Sequence, residues 1–380
     1  MIGLNGQRVY LDWNATAPLR PEARQAMLEA MDVVGNPSSV HAEGRAAKAI
    51  VEKARGQVAA LVGCDPDEVV FTSGATEAAN LAIHSEYEVI YFSEAEHECV
   101  YNRALGIGHS VFVYPRTAGR HGDSEFEFRD ASFDLSEGLF AIALANGETG
   151  VIEDLEKIRR IARGEGAEFL TDAVQALWKI SVSFTGMNPD CMLSSSHKIG
   201  GPKGVGALIS RTGREVFGGL SGGGQEKGRR SGTENIIGIA GFGAAAEAAQ
   251  RDLEAGVWDD VEKLRNILES TLAEAAQETI FFGQESPRLP NTSCFAVPGW
   301  RGETQVMQMD LAGFAVSAGS ACSSGKVNKA SRVLLAMGFD EITASSAIRV
   351  SMGPTTTEAE VMAFADAWKD AYRRRRARAA

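Results

Sequence analysis

Lys198 follows Ser194-Ser195-Ser196-His197 and precedes Ile199-Gly200-Gly201-Pro202-Lys203-Gly204. The apolar runs Cys191-Met192-Leu193 and Val205-Gly206-Ala207-Leu208-Ile209 on either side predict two short core strands. An ammonium on a hydroxyl-lined, glycine-flanked turn between core strands is costly to desolvate unless it is paired or neutralised. A Schiff base with the aldehyde of pyridoxal phosphate is one such neutralisation, and an Asp facing the ring nitrogen usually accompanies it. The alternative is an ordinary loop lysine, and the choice between them rests on the other polar residues.

Asp172 follows the run Glu168-Phe169-Leu170, where it suits a pyridinium nitrogen; the alternative is a helix N-cap, a common use of Asp at such a position. Ser73-Gly74-Ala75-Thr76 lies between a strand and a helix, with free backbone N–H groups that would seat a phosphate. The same turn could be a cap built on Ser73 or Thr76, and it lacks the G-x-x-x-x-G-K-[ST] pattern. His97 opens a helix, positioned to stack on a planar ring or to shuttle a proton. Arg349, on the apolar strand 347–351, is a candidate for gripping a carboxylate bidentately. Cys322 stands amid Gly319-Ser320-Ala321 and Ser323-Ser324-Gly325, in a loop expected to be mobile and exposed, where a nucleophilic thiol belongs. Cys64, Cys99, Cys191 and Cys294 sit in apolar or helical contexts and read as packing residues.

Positioning these residues requires an alternation of elements. Val9-Tyr10-Leu11-Asp12 reads as a strand. A helix carries Ala23, Ala26, Met27, Ala30, Met31 and Val34 and stops at Gly35; a second spans 43–62 and closes at Gly63, with His41 as a surface or cap residue. Short strands at 68–71, 89–92, 111–114, 139–144 and 168–170 then alternate with helices, which predicts a mostly parallel sheet covered on both faces. Ser73, His97, Asn146, Asp172 and Ser195 fall at or just past the carboxyl ends of these strands, the edge along which open α/β sheets bind ligands. Residues 213–235, rich in Gly and basic residues, are either a linker or part of the site. Helices at 236–250 and 257–277 lead to a second domain with strands at 293–297, 315–317 and 347–351 and a helix through Val333 to Met337.

A chain of 380 residues suggests about two domains, and 44% hydrophobic with 23% charged residues is ordinary for a folded protein. The net charge of −12 argues against direct nucleic-acid binding. The basic run Arg373-Arg374-Arg375-Arg376-Ala377-Arg378 reads as the end of the last helix, where cations suit the macrodipole. Five cysteines without a C-x-x-C pair predict neither a disulfide scaffold nor a metal site, and favour a reducing compartment. No apolar run reaches membrane-spanning length and the first residues lack signal-peptide character, so a cytoplasmic protein without membrane association is expected.

Over nearly its whole length the chain resembles the cysteine desulfurases of the class V aminotransferase group, pyridoxal-phosphate enzymes of fold type I. The motifs, in order, are Tyr10-Leu11-Asp12 with Ala15-Thr16-Ala17-Pro18, Asn36 to His41, Ser73 to Glu77, Glu96-His97, Asp172-Ala173-Val174-Gln175, His197-Lys198 with Gly201 to Gly204, Arg230 to Asn235, and Gly319 to Cys322. The resemblance implies a large cofactor-binding domain over 15–250 and a smaller α+β domain from 1–14 and 251–380 that carries the catalytic cysteine. It implies that Lys198 anchors the cofactor and moves the substrate Cα proton, that Asp172 pairs with the ring nitrogen, that Gln175 contacts the ring oxygen and that His97 stacks on the ring. Ala75, Thr76, Ser195 and His197 would hold the phosphate, with Thr233 reaching in from the other subunit of a homodimer. Asn146 and Arg349 would orient the carboxylate of L-cysteine. Cys322 would take its sulfur as a persulfide, leaving alanine, for a sulfur-acceptor protein in iron–sulfur cluster assembly or in tRNA or cofactor thiolation.

The chain departs from that pattern at Gly147, where a second Asn is usual, and in the short helix between Thr76 and Val89. Little chain follows the last helix, where some relatives dock an iron–sulfur scaffold. Rival readings are selenocysteine cleavage, another class V aminotransferase reaction, and a non-catalytic platform for sulfur-transfer partners. A transaminase has no need of Cys322, and a platform has no need of Lys198 and Asp172.

Overall fold

The computed structural model describes residues 4, 6–84, 86–107, 109–114, 127–128, 138–164, 166–214, 216, 220–319 and 330–379. The strand β1 (Val9–Tyr10) precedes α1 (Pro21–Met31), which opens on Pro21, where a missing N–H costs nothing. α1 ends at Met31 and does not reach Val34, which stays 82% exposed. The β-branched pair Val33-Val34 is poor helix material ahead of Gly35. α2 (Ala42–Val62) starts where the His41 ring accepts the Gly44 N–H, and ends at Gly63 in the left-handed conformation, φ 67°.

From residue 69 strands and helices alternate: β2 (Val69–Thr72), α3 (Ala75–Ala82), β3 (Val89–Phe92), α4 (Glu98–Leu105), β4 (His109–Tyr114), β5 (Glu127–Phe128), β6 (Gly138–Ala143), α5 (Leu155–Gly164), β7 (Glu168–Asp172), α6 (Phe184–Met187), β8 (Cys191–Ser195) and β9 (Gly206–Ser210). They form one sheet in the order β2-β9-β8-β7-β6-β3-β4-β5. The central strands β4, β3, β6, β7 and β8 are parallel, as the alternation predicts. β9 runs antiparallel to both β8 and β2, and β5 to β4. The connection 196–205 is too short for a crossover, which needs a dozen or more residues, so the chain turns back beside β8. Lys198 lies in that return.

The long helices α7 (Ile236–Glu254) and α8 (Val257–Ala275) follow. α7 lies close on α2 because Gly243 has no side chain: a Cβ there would fall 2.6 Å from Ala54 Cα. The remainder comprises β10 (Ile280–Phe281), β11 (Thr292–Ala296), α9 (Gly302–Leu311), β12 (Phe314–Ala315), β13 (Ser317–Ala318), α10 (Arg332–Ala336), α11 (Glu341–Ser345), β14 (Ala347–Ser351) and α12 (Glu358–Ala379). β10, β11, β14 and β13 make a second, antiparallel sheet. The single strand expected at 315–317 is two, because the chain changes partner at Val316: Ala315 pairs with Tyr10 of β1, whereas Ser317 pairs with Arg349 of β14. The basic run closes α12, as its position suggests. Among the described residues no helix is long and apolar enough to cross a membrane.

The segment after β1 ties the two sheets together. Asp12 bridges to Ser351 at the end of β14, and Asn14, 1% exposed, donates its backbone N–H to Ser351 Oγ at 3.0 Å. From there the chain runs past the carboxyl edge of the large sheet, where the Ala17 N–H meets the His197 carbonyl at 2.9 Å.

Candidate active site

Ser73, His97, Asn146, Asp172 and Ser195 all face one cavity of about 920 Å³ at the carboxyl edge of the large sheet. Arg349, Ser317 and Gly319, at the second sheet, line it too. Lys198 is on a single 3₁₀ turn, Ser196–Lys198, and its Nζ donates to the main-chain oxygens of Asn14 (2.6 Å) and Ala15 (3.0 Å). Two carbonyl dipoles thus orient this amine at the cavity.

Asp172 ends β7 and is buried, but it caps no helix: its Oδ1 accepts the Val174 N–H at 2.8 Å in a turn. Burial pushes its carboxyl above the ordinary value, while His97, the Val174 N–H and Lys198 pull it back. His97 is the N-cap of α4; its Nδ1 accepts the Cys99 N–H and lies 3.1 Å from Cys99 Sγ. Cys99, read from sequence as a packing residue, thus stands in the cavity wall, its thiol pushed up by burial.

Ala75 and Thr76 open α3 behind Gly74, an N-cap without side-chain capping, so neither Ser73 nor Thr76 fills that role. Instead the Ser73 N–H donates to Glu77 at 2.6 Å, and Glu77 takes the Arg230 guanidinium at 2.8 Å. The Gly-rich basic stretch is therefore fastened to the turn, which a linker would not be. Gly206 of β9 lies beneath: a Cβ there would fall 2.7 Å from Gly74 Cα and from the Ser194 carbonyl oxygen. His197 faces Thr16 Oγ1 at 3.1 Å, and burial together with Lys198 and Lys203 pushes its ring down to about 4, so it is neutral at pH 7.

Asn146 and Arg349, which line the cavity, already have partners within the chain. The Asn146 side-chain oxygen accepts from the Glu148 and Thr149 N–H groups and the Thr149 hydroxyl, and its amide donates to the Ala95 carbonyl, so it braces its own turn. Arg349 is ion-paired to Asp12 at 2.7 Å and donates to the Gly147 carbonyl at 2.9 Å. Its Nε, sealed from solvent, meets no acceptor among the described residues. Thr233 is exposed and does not line the cavity. Cys322 lies outside the described residues.

Gln175 lines the cavity and donates through Nε2 to the Asn14 carbonyl at 3.0 Å. A Cβ at position 147 would come within 3.1 Å of Gln175 Cγ and Nε2. Gly147 therefore gives the Gln175 side chain room.

Asn14, Glu148, Lys179 and Arg332 escaped the sequence reading. Arg332 donates to the main-chain oxygens of Glu94 and Glu96 and lies over the Tyr101 ring, pinning α10 to the turn that carries His97. A signal existed for Lys179: a lysine four residues after Gln175, inside Ala176-Leu177-Trp178-Lys179-Ile180. None marked Asn14 or Glu148, whose surroundings are assembled from distant segments.

The family model described as aminotransferase class-V matches residues 9–364. The chain is 40% identical over 365 residues to the cysteine desulfurase of Cereibacter sphaeroides, covering 93% of each. It is 34% identical over 366 residues to the cysteine desulfurase IscS of Dictyoglomus turgidum, covering 93% of this chain and 92% of that protein. The solved NifS-like protein of Rickettsia africae superposes with a TM-score of 0.85 at 31% identity, over 96% of this chain and 99% of that one. Sequence pattern and backbone agree along the same span, and the chain belongs to the class-V aminotransferase family.

Proposed function

We propose that this protein is a pyridoxal-phosphate-dependent cysteine desulfurase. The observation that carries the reading is the meeting of Lys198 and buried Asp172 in one cavity at the sheet's carboxyl edge, in a chain whose relatives are named cysteine desulfurases. The cavity fits the cofactor's chemistry. It offers a primary amine, a buried carboxyl, an imidazole, and a helix N-terminus whose turn packs closely on Gly206. Bound there, pyridoxal phosphate supplies an electron sink for bond cleavage on an amino acid.

The chain's own residues do the rest. Lys198 Nζ anchors the cofactor and carries the proton to and from the substrate Cα. Asp172 faces the ring nitrogen, Gln175 the ring oxygen, and His97 the ring. The backbone of Ala75 and Thr76, with Ser195 and neutral His197, holds the phosphate, and Thr233 completes that seat from a second subunit. Arg349, with a spare buried N–H and a guanidinium fixed by Asp12, draws in the carboxylate of L-cysteine beside Asn146. Cys322 attacks the substrate sulfur. L-cysteine plus the Cys322 thiol gives L-alanine plus a Cys322 persulfide, with no outside oxidant. The sulfur then passes to an acceptor protein serving iron–sulfur clusters or thiolated tRNA and cofactors, in the cytoplasm. The division into a large domain at 15–250 and a small one at 1–14 and 251–380 is supported by the separate eight-stranded and four-stranded sheets and by the pairing of β1 with β12.

The purified protein with pyridoxal phosphate should show a visible absorption band that Lys198→Ala abolishes. Cys322→Ala should keep the band but release almost no sulfide from L-cysteine. Full sulfide release by Cys322→Ala would refute the thiol transfer and leave a thiol-free lyase.

A further inference from the structure

Lys179 is 3% exposed, and nothing in the reaction above employs it. Its Nζ donates to Gln175 Oε1 at 2.7 Å and to Asn14 Oδ1 at 2.9 Å. Both acceptors are neutral, whereas a buried ammonium normally finds a carboxylate. Burial pushes this amine well below the ordinary lysine value, and the Lys198 and Arg349 charges push it the same way. Trp178, immediately before it, has φ 75°, a conformation that bulky residues avoid. Trp178 is held there by Trp13, Trp258, the Arg20 guanidinium and a 2.7 Å bond to Asp252. Strain is thus sustained next to a buried amine turned toward the cavity wall.

The consequence lies in the orientation of one amide. A glutamine can present either its oxygen or its NH₂ to a neighbour, and neighbours that can only donate or only accept decide which. Lys179 as an ammonium can only donate, and the Asn14 main-chain oxygen on the other side of the amide can only accept. Gln175 must therefore turn its oxygen to Lys179 and its NH₂ to the Asn14 carbonyl, which leaves its second N–H for the cavity. That same Asn14 carbonyl accepts from Lys198 Nζ at 2.6 Å.

We propose that Lys179 is a positioning residue: through Gln175 Oε1 and Asn14 Oδ1 it fixes the Gln175 amide as a hydrogen-bond donor toward the cofactor's ring oxygen, and steadies the carbonyl that orients Lys198. This deepens the reading of the cavity as a pyridoxal phosphate site and rests on it. Lys179 touches neither substrate nor cofactor.

The test uses the holoenzyme and reads the visible band, not turnover. Lys179→Met should shift the pH midpoint of the band by about one unit and weaken cofactor retention about tenfold, the size of one lost hydrogen bond. Gln175→Met should do the same, and the double variant should do no more than either single one. Lys179→Gln, which keeps a donor, should restore the wild-type midpoint. A Lys179→Met midpoint equal to wild type, or shifts that add in the double variant, would overturn the proposal. If Lys179→Met does not fold, Lys179→Ala decides: a Gln175→Met-like shift supports positioning, and a wild-type midpoint overturns it. A wild-type protein without a band overturns the functional reading itself, whereas a wild-type band unaltered in Lys179→Met overturns only the role of Lys179.

Discussion

Glu148 illustrates how a single side chain can be set by its surroundings. Its Oε1 is sealed from solvent without a hydrogen bond among the described residues. A Cβ at Gly319 would lie only 2.3 Å from that oxygen. Burial pushes the carboxyl up to about 7, against the Ser331 hydroxyl and the Arg349 and Arg332 charges. The folded protein then binds a proton that the unfolded chain has released, between the ordinary glutamate value of 4.5 and about 7. Stability from this group is full below pH 4.5 and is lost as pH rises through about 7. The loss should amount to at most about 3 kcal/mol. Comparing urea unfolding of wild type and Glu148→Gln at pH 5 and pH 7.5 isolates it: the variant should lose less stability across the interval. Equal losses would place Glu148's titration elsewhere. At this scale Lys198, Asp172 and His97 were legible in the sequence, because each ends or follows a strand of obvious pattern. Lys179 and Asn14 were not, since the contact that gives them meaning spans 165 residues.

Among the elements, the alternation of strand and helix was legible from hydrophobic period and turn residues, down to the 73–76 turn. So was the parallel direction of the central strands; the reversal of β9 and the partners of the later strands were not. β9 reads as another buried strand, and only the length of its connection turns it antiparallel. Residues 315–317 read as one strand, and only the arrival of β1 on one side and β14 on the other divides them. The approach of β9 to the α3 turn is a further tertiary fact with a sharp prediction. Gly206→Ala forces a methyl to 2.7 Å from Gly74 Cα, so the turn must move away from the strand. Overpacking of this kind costs about 1–3 kcal/mol. Pyridoxal phosphate affinity, measured by equilibrium titration, should fall along with thermal stability; unchanged affinity would mean that the turn is not the phosphate seat.

For the molecule as a whole, exposed Thr233 makes sense if the proposed homodimer places it in a neighbouring cavity. Lys198→Ala and Thr233→Val subunits, each weakly active or inactive alone, should then regain activity when mixed and allowed to exchange. Each hybrid would hold one site with both residues intact. Mixed subunits that exchange yet show only the sum of the parental activities would argue that Thr233 serves no neighbour.

The run from Val9 to Asn14 also imposes an order on biosynthesis. These residues leave the ribosome long before the partners that hold them: Thr292 bonds Asn14, Phe314 and Ala315 pair with β1, and Ser351 bridges Asp12. The carbonyl that orients Lys198 is therefore without its supports until translation has passed residue 351. If the cavity takes pyridoxal phosphate, its capture has to wait until residue 351 has been made. Nascent chains arrested near residue 280 should fail to retain the cofactor, although every large-sheet strand has already been made. Retention by such chains would show that the large sheet holds it unaided.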